Sequence, residues 1–339
     1  MDTDLTSSVA VGGPFYDDLH IGDRFDSAPG VTLTDGLAAT HRAIVGGRLH
    51  LASDHELSRR VTGRAAPLAP PALVWDVAIG QSTLVTGRAI ANLFYRGLIL
   101  RTHPAIGDTL RTRTDIVGLR PAAAKPGRPP RGLVVMHIVT TDQSGAVVLD
   151  FHRCAMLPAR QSLPSPAAGE LDPALPPLGP ATFTPAIGSW NLAAFRESVP
   201  GRHFADVKPG SIYRVEAGDV VSSAPELARL TLNLAAVHHD QTAAGDGERL
   251  VYGGHTIGLA AAQVSRALPA LVTILGWQSC DHTGPVHEGD TLHSEIHVER
   301  CENLAAGGLV HLRSLVRARP AGAESSHDVL DWRLIGLMA

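Results

Sequence analysis

One internal repeat constrains this chain more than any other feature. Gly107-Asp108-Thr109-Leu110 recurs 182 residues later as Gly289-Asp290-Thr291-Leu292. Each copy follows a proline and a short step, Pro104-Ala105-Ile106 or Pro285-Val286-His287-Glu288, and each leads into a strand-like run. Gly-Asp before a strand is common turn chemistry, so four residues alone carry little weight. A second alignment at nearly the same offset carries more: Pro71 to Ala78 lines up with Gly254 to Ala261. The period is too long for a solenoid and fits duplication of a whole domain of about 150 residues.

The boundary between the copies is written in prolines. Residues 158–188 carry Pro158, Pro164, Pro166, Pro173, Pro176, Pro177, Pro180 and Pro185 among Ala, Gly and Ser. Proline at that density removes amide donors and fixes φ, which predicts an extended linker over the surface. The expected organisation is an N-terminal unit over 14–158, a linker over 159–188 and a C-terminal unit over 189–339. Shorter breakers at Pro121 to Gly132 and Ala321 to His327 read as loops.

Within the second copy, Ser223-Ala224-Pro225-Glu226 predicts a helix start, with a capping serine and a proline in the first turn. Leu227, Leu230, Leu234 and Val237 continue it at helical spacing. A second helix is expected from His255 to Leu268, with a small-residue apolar stripe stopped by Pro269. Strands follow near 271–279, 291–301, 308–319 and 329–337. The first copy shows the same order, with strands near 90–100, 109–119, 133–142 and 147–157. A long helix of small residues followed by four antiparallel strands is an α+β pattern: a sheet wrapped round a buried helix, the hot-dog architecture, here doubled. The two halves can cover each other's sheet edges, so one chain already forms a two-domain unit, and further homodimerisation stays open.

Composition removes several function classes. The chain is 44% apolar and 18% charged, which suits a packed core. Its net charge is −4 with scattered basic residues, so neither a nucleic-acid groove nor an anionic-membrane patch is expected. No apolar run approaches the roughly 20 residues of a spanning helix. Met1-Asp2-Thr3-Asp4 lacks the basic start and apolar stretch of a secretory signal, and a cytoplasmic location is expected. Cys154, Cys280 and Cys301 are too few and too dispersed for a disulfide framework or a zinc cluster. His293 and His297 lie in an alternating strand pattern facing solvent, and His238-His239 does not form an HExxH pair, so no metal is expected. Nucleotide-binding glycine motifs are absent, and no cofactor is expected.

The segment best suited to chemistry is Asn233-Leu234-Ala235-Ala236-Val237-His238-His239-Asp240. Five residues is too far for side chains to stack on an unbroken helix. A helix ending near Val237 would let His238 swing back toward Asn233, so that both converge on one water. Histidine can take a proton from water and return one, and a carboxamide can hold the water. The plainer alternative has Asn233 capping or bridging helices and His238 satisfied at the surface. Nearby, Gly253-Gly254 leads into a helix, leaving accessible amides at the positive end of its dipole that could stabilise a developing oxyanion. Equally, the two glycines could serve only close packing. In the first copy this stretch is Pro70-Pro71-Ala72, where the two prolines offer no N–H, so the second copy alone is equipped. Asp240, His255 and His282 are possible supporting groups, His282 equally as a loop-bonded residue.

These residues carry a resemblance. Phe15 to Phe25 resembles the opening of MaoC-like dehydratase domains, and Ala89 to Tyr95 and Gly107 to Leu110 look like later strands of that superfamily. Asn233 to Asp240, Arg249 to His255 and Gly289 to Leu292 are similar to the double-hot-dog branch containing mesaconyl-CoA hydratases (β-methylmalyl-CoA dehydratases). The resemblance runs from about Phe15 to Arg319, apart from the linker. It implies reversible hydration of a short, branched or dicarboxylic enoyl-CoA of the mesaconyl-CoA/β-methylmalyl-CoA kind, an acyl-CoA substrate with coenzyme A as part of it, and a degenerate first half that holds the acyl-CoA tail. R-specific hydratases of the superfamily use an Asp and a His five residues apart. Here the aspartate position is Asn233, which cannot accept a proton. That departure leaves three schemes: His238 doing all proton transfer with Asn233 orienting water, help from Asp240, or a dead site that only binds acyl-CoA. A thioesterase is a further alternative, weakened because no carboxylate lies between His255 and Leu268.

Overall fold

The computed structural model describes residues 11–164, 171–243 and 248–339. The N-terminal tetrapeptide, Pro166 of the linker and part of the 241–248 loop lie outside the described residues. The first half runs β1 (Arg24–Phe25), β2 (Val31–Thr32), α1 (Asp35–Val45), α2 (His50–Ser53), α3 (His55–Thr62), α4 (Pro71–Gln81), β3 (Ala91–Leu100), β4 (Thr109–Pro121), β5 (Arg131–Thr141) and β6 (Val147–Pro158). Two connecting helices follow, α5 (Pro180–Ile187) and α6 (Leu192–Ser198). The second half runs β7 (Ile212–Arg214), β8 (Asp219–Val220), α7 (Ala224–Leu230), α8 (Gly253–Ala267), β9 (Leu271–His282), β10 (Thr291–Asn303), β11 (Gly308–Arg319) and β12 (His327–Met338).

The repeat sharpens to a fixed offset of 182. Helices α4 and α8 begin at Pro71 and Gly253, and strands β4 and β10 start and end in register at that offset. The Gly-Asp-Thr-Leu turns do the same work in both halves. Gly107 and Gly289 take left-handed φ values of 104° and 94°, a conformation that favours glycine. Asp108 and Asp290 each accept a backbone N–H three residues back, from Ala105 and His287. The helix glutamines match as well: Gln81 donates to the Leu110 carbonyl and Gln263 to the Leu292 carbonyl. A buried carboxamide on each helix thus fastens it to the strand that follows its turn.

All strand pairings are antiparallel, and the order is β1-β4-β5-β6-β3-β9-β12-β11-β10-β7. The two halves meet where β3 pairs with β9, Tyr95 opposite Cys280 and Arg96 opposite Ser279. Each half wraps its sheet round a central helix, and the two sheets are continuous: a double hot-dog fold. Helix α4 is buried all round except at Ala72, so its mostly apolar sequence carries no helical period. Its Trp75 packs edge-on against Trp277 of β9 at 5.0 Å, which locks the first helix onto the second half's sheet.

Two expectations need correction. The helix that opens at Ala224 ends at Leu230 rather than near Val237. The Thr231 hydroxyl bonds back to the Leu227 and Ala228 carbonyls, and Leu232 then adopts a positive φ of 60°, which turns the chain out of the helix. Leu234, which extended the apolar period, is 57% exposed. Ser223 does not cap this helix with its side chain; it sits in the left-handed region, and its amide donates to Glu288. The proline-rich linker is also not wholly extended. Pro180 occupies the first turn of α5, where no amide is needed, and Phe183 of that helix is fully buried against Gly276. The connector is therefore part of the core. Helices α1 to α3 are additions that the alignment of the two copies did not reveal.

A close approach joins α4 to the loop after α7. A Cβ at Gly80 would overlap the Thr231 carbonyl oxygen, which is backbone and cannot rotate away. Overpacking of this kind costs about 1–3 kcal/mol or more. Gly80→Ala is expected to lower Tm by several degrees in calorimetry; an unchanged Tm would show that the loop yields freely.

Candidate active site

The loop between α7 and α8 is pinned to the first half. The Leu234 amide donates to Thr83 Oγ1 at 2.8 Å and the Ala236 amide to the Gly87 carbonyl at 3.0 Å. These bonds hold a single 3-10 turn, Ala236–His238, against the stretch that joins α4 to β3. His238 then lines a cavity of about 320 Å³ at the seam. The second half supplies Val237, His238, Leu250 to Gly253, Thr256 and His282 to Val286; the first half supplies Ala89 to Leu93, Tyr95 and Arg153. Both halves build the walls of this cavity, because the β3–β9 pairing brings their strands together.

The geometry fixes the His238 tautomer. Nδ1 lies 2.7 Å from the Leu250 carbonyl oxygen, which can only accept, so Nδ1 carries the hydrogen. Nε2 is left with a free lone pair. Burial pushes this imidazole down to about 4; the Leu250 bond opposes that, and His239 and Arg153 add to it. His238 is therefore neutral at pH 7 and able to act as a base. His282, at the end of β9, is also pushed to about 4, first by burial and then by Arg153 and His238. Its Nε2 is buried without a partner among the described residues.

Gly253 lines the cavity as the first residue of α8. A Cβ there would come within 2.7 Å of His282 Nε2, so glycine is what lets that ring sit against the helix start. First-turn amides have no acceptor inside their own helix, so the Gly253 N–H is a donor at the cavity wall. The matched residue of the first half is Pro71, which has none.

The remaining expected site residues fall elsewhere. Asn233 and His238 line different cavities. Asn233 is buried, its Oδ1 accepts the Ala235 amide at 2.9 Å, and it lines a neighbouring cavity with Gly80, Gln81 and Leu84. The early end of α7 is the cause, since it removes the helix on which the two side chains were placed. Asn233 instead holds the loop that carries His238. Asp240 is exposed, with its carboxylate accepting from the Thr242 amide and hydroxyl. Gly254 does not line the cavity; a Cβ there would strike Asp76 Oδ1 and, at 2.5 Å, the Tyr252 ring. His255 is fully buried on α8 and does not line the cavity, and neither ring nitrogen has a partner among the described residues.

Two groups in this region escaped the sequence. Arg153 of β6 is buried in the cavity wall, bonded through Nε to Asn92 Oδ1 at 2.7 Å and through Nη1 to Ser82 Oγ at 2.9 Å. Asp76 of α4 is a fully buried carboxylate, 2.8 Å from His41 Nε2 and 3.3 Å from the Tyr252 hydroxyl. Burial pushes its carboxyl up, against the His41 and Tyr252 bonds. The signal for Arg153 was a charged residue in the apolar run of a central strand, between His152 and Cys154. Among the described residues no group of three or more His, Cys, Asp or Glu is placed to hold a metal ion, and no helix is long and apolar enough to cross a membrane.

Comparisons with known proteins define the class. The chain is 30% identical over 293 residues to the β-methylmalyl-CoA dehydratase of Chloroflexus aurantiacus, covering 83% of this chain and 81% of that one. It is 28% identical over 323 residues to the mesaconyl-CoA hydratase of Cereibacter sphaeroides, covering 92% and 91%. Among solved structures, Rv0216 of Mycobacterium tuberculosis, described as a conserved hypothetical protein with a double hot-dog fold, superposes with a TM-score of 0.89 at 52% identity over 98% of this chain and 100% of that one. A MaoC-domain dehydratase of C. aurantiacus superposes at 0.81 with 26% identity, covering 98% and 99%. No protein-family model matches. The chain belongs to the MaoC-like dehydratase family, in its double hot-dog branch.

An ordinary histidine titrates near 6.5. In NMR titrations the His238 and His282 ring signals are expected to stay in the neutral form from pH 8 down to about 5 and to shift only near pH 4; a midpoint near 6.5 would mean that the cavity is open to bulk water.

Proposed function

We propose that this protein is a hydro-lyase that reversibly adds water to the C2=C3 bond of a short-chain enoyl-CoA, with His238 as the single acid/base. The observation that supports this best is His238 itself: a neutral imidazole with its tautomer set by Leu250, facing a cavity of acyl-group size beside the start of α8. In the hydration direction His238 Nε2 takes a proton from water as its oxygen bonds to C3. The π electrons move to C2 and the thioester carbonyl, giving an enolate whose oxygen accepts from the Gly253 amide. The imidazolium then returns the proton to C2. One base serving one face gives syn addition. Such a base contributes roughly 10²–10⁴-fold and an oxyanion donor about 2.7–4 kcal/mol. The names of the β-methylmalyl-CoA and mesaconyl-CoA relatives favour a small branched acyl group.

A second reading, an acyl-CoA-binding protein without turnover, has one specific observation behind it. The carboxamide of Asn233, which replaces the family's aspartate, bonds its own loop and does not reach the cavity. A thioesterase is disfavoured, since the only carboxylate on either central helix, Asp76, is fully buried and lines neither the cavity nor its mouth.

The test is turnover of mesaconyl-CoA, crotonyl-CoA and their hydrated forms, followed by enoyl absorbance, with free thiol monitored alongside. Loss of the enoyl band without thiol release is expected, falling at least about 100-fold in His238→Ala. Tight binding without conversion would establish the second reading. For Asn233, a loop-holding role implies that kcat drops in Asn233→Ala and is largely restored in Asn233→Asp, which keeps the acceptor for the Ala235 amide. Equal loss in both variants would argue for direct contact with the reacting water.

A further inference from the structure

Gly253 offers a first-turn amide to the cavity, and Gly254 beside it does not line that space. Sites that hold a developing oxyanion generally aim more than one donor at it. The residue placed to supply another is His282. It is the last residue of β9, its ring lines the cavity, and a Cβ on Gly253 would come within 2.7 Å of its Nε2 and 2.8 Å of its Cε1. Tyr95 of the first half also meets it edge-on, with ring centroids 5.9 Å apart. The imidazole is held by β3 and by the start of α8.

The surroundings decide where its hydrogen sits. Neither ring nitrogen has a hydrogen-bond partner among the described residues, and only Nε2 is enclosed. A neutral imidazole has one N–H and one lone pair to place. Nε2 lies against the first residue of α8, at the positive end of that helix dipole, which favours the lone pair there. The hydrogen is then on Nδ1, the accessible nitrogen. Burial first, then Arg153 and His238, push this ring down to about 4, so it stays neutral at pH 7. The two cavity imidazoles differ in kind: His238 presents a lone pair and His282 an N–H.

The fold itself does not demand a histidine here. At the offset of 182 the matching residue is Leu100, the last of β3, which is 1% exposed and packs in the core. Gly253 matches Pro71 at the same offset. The first copy has proline and leucine where the second has glycine and histidine, so the open amide and the imidazole occur together, and the glycine makes the room that the ring occupies.

We propose that His282 is a second catalytic residue of the hydration: its Nδ1–H and the Gly253 amide together hold the thioester oxygen as the enolate forms. This rests on the hydratase reading above and adds a residue to it. No proton leaves His282; it polarises the carbonyl, and the proton that moves is carried by His238 alone.

Butyryl-CoA, which lacks the reacting double bond, tests this without turnover. In ¹⁵N NMR of the wild-type protein the His282 ring is expected to carry its hydrogen on Nδ1, and that signal should move when butyryl-CoA binds. A hydrogen on Nε2, or a signal that butyryl-CoA leaves in place, would overturn the proposal even if every variant folds poorly. In infrared spectra the thioester carbonyl band of bound butyryl-CoA should fall in frequency. Part of that fall should be lost in His282→Leu and kept in His282→Asn, whose amide nitrogen takes the place of Nδ1. For an enoyl-CoA that turns over, kcat should drop about 100–1,000-fold in His282→Leu with little change in KM, and His282→Asn should lie between. A carbonyl shift that depends on His282 in a protein that hydrates nothing would leave the donor standing and remove the hydratase reading. Hydration with full kcat in His282→Leu would do the reverse.

Discussion

The pairing of β3 with β9 is the constraint on which the rest depends. A hot-dog sheet leaves an edge of unpaired amides and carbonyls beside its central helix, and such an edge must be covered. Here each half covers the other, with Tyr95 opposite Cys280 and Arg96 opposite Ser279. The pairing sets the distance between α4 and the second sheet, which Trp75 and Trp277 then fill. It also brings the ends of β3, β6 and β9 to one place. The cavity exists because those ends coincide: Asn92, Arg153 and His282 are neighbours through the sheet and distant in sequence.

The two copies differ at most positions, and a few of the retained and changed residues have a direct physical reading. The turns and the helix glutamines are retained because they fix the sheet to the helix in either copy. The helix starts have parted: Pro71 closes the first-turn amide in one half, and Gly253 opens it in the other. Gly253 has to be glycine for the further reason that the His282 ring occupies the space a side chain would take. The first half contributes Arg153 to the cavity wall, the second His238 and His282.

Much of the architecture was legible in the sequence because the repeat, the strand alternation and the proline-rich connector are local or periodic signals. The Gly-Asp-Thr-Leu pair alone aligned two strands to the residue. The site was less legible. His238 and Gly253 could be picked out, but the pairing of His238 with Asn233 assumed a helix that Thr231 and Leu232 end early, and Leu234 prolonged the apolar period while pointing to solvent. Arg153 and Asn92 carried no motif, since their nearness depends on strand register across the sheet rather than on spacing along the chain. Asp76 was hidden likewise, because its partners His41 and Tyr252 come from outside its own helix.

The contact between Gly80 and the Thr231 carbonyl has a consequence for how such a protein can change. A helix in one copy abuts, backbone to backbone, the stretch that presents the imidazole of the other. Drift in α4 is therefore transmitted to the loop that carries His238 even though no residue of that helix lines the cavity. The two copies cannot evolve as separate modules; once fused, they inherit each other's errors.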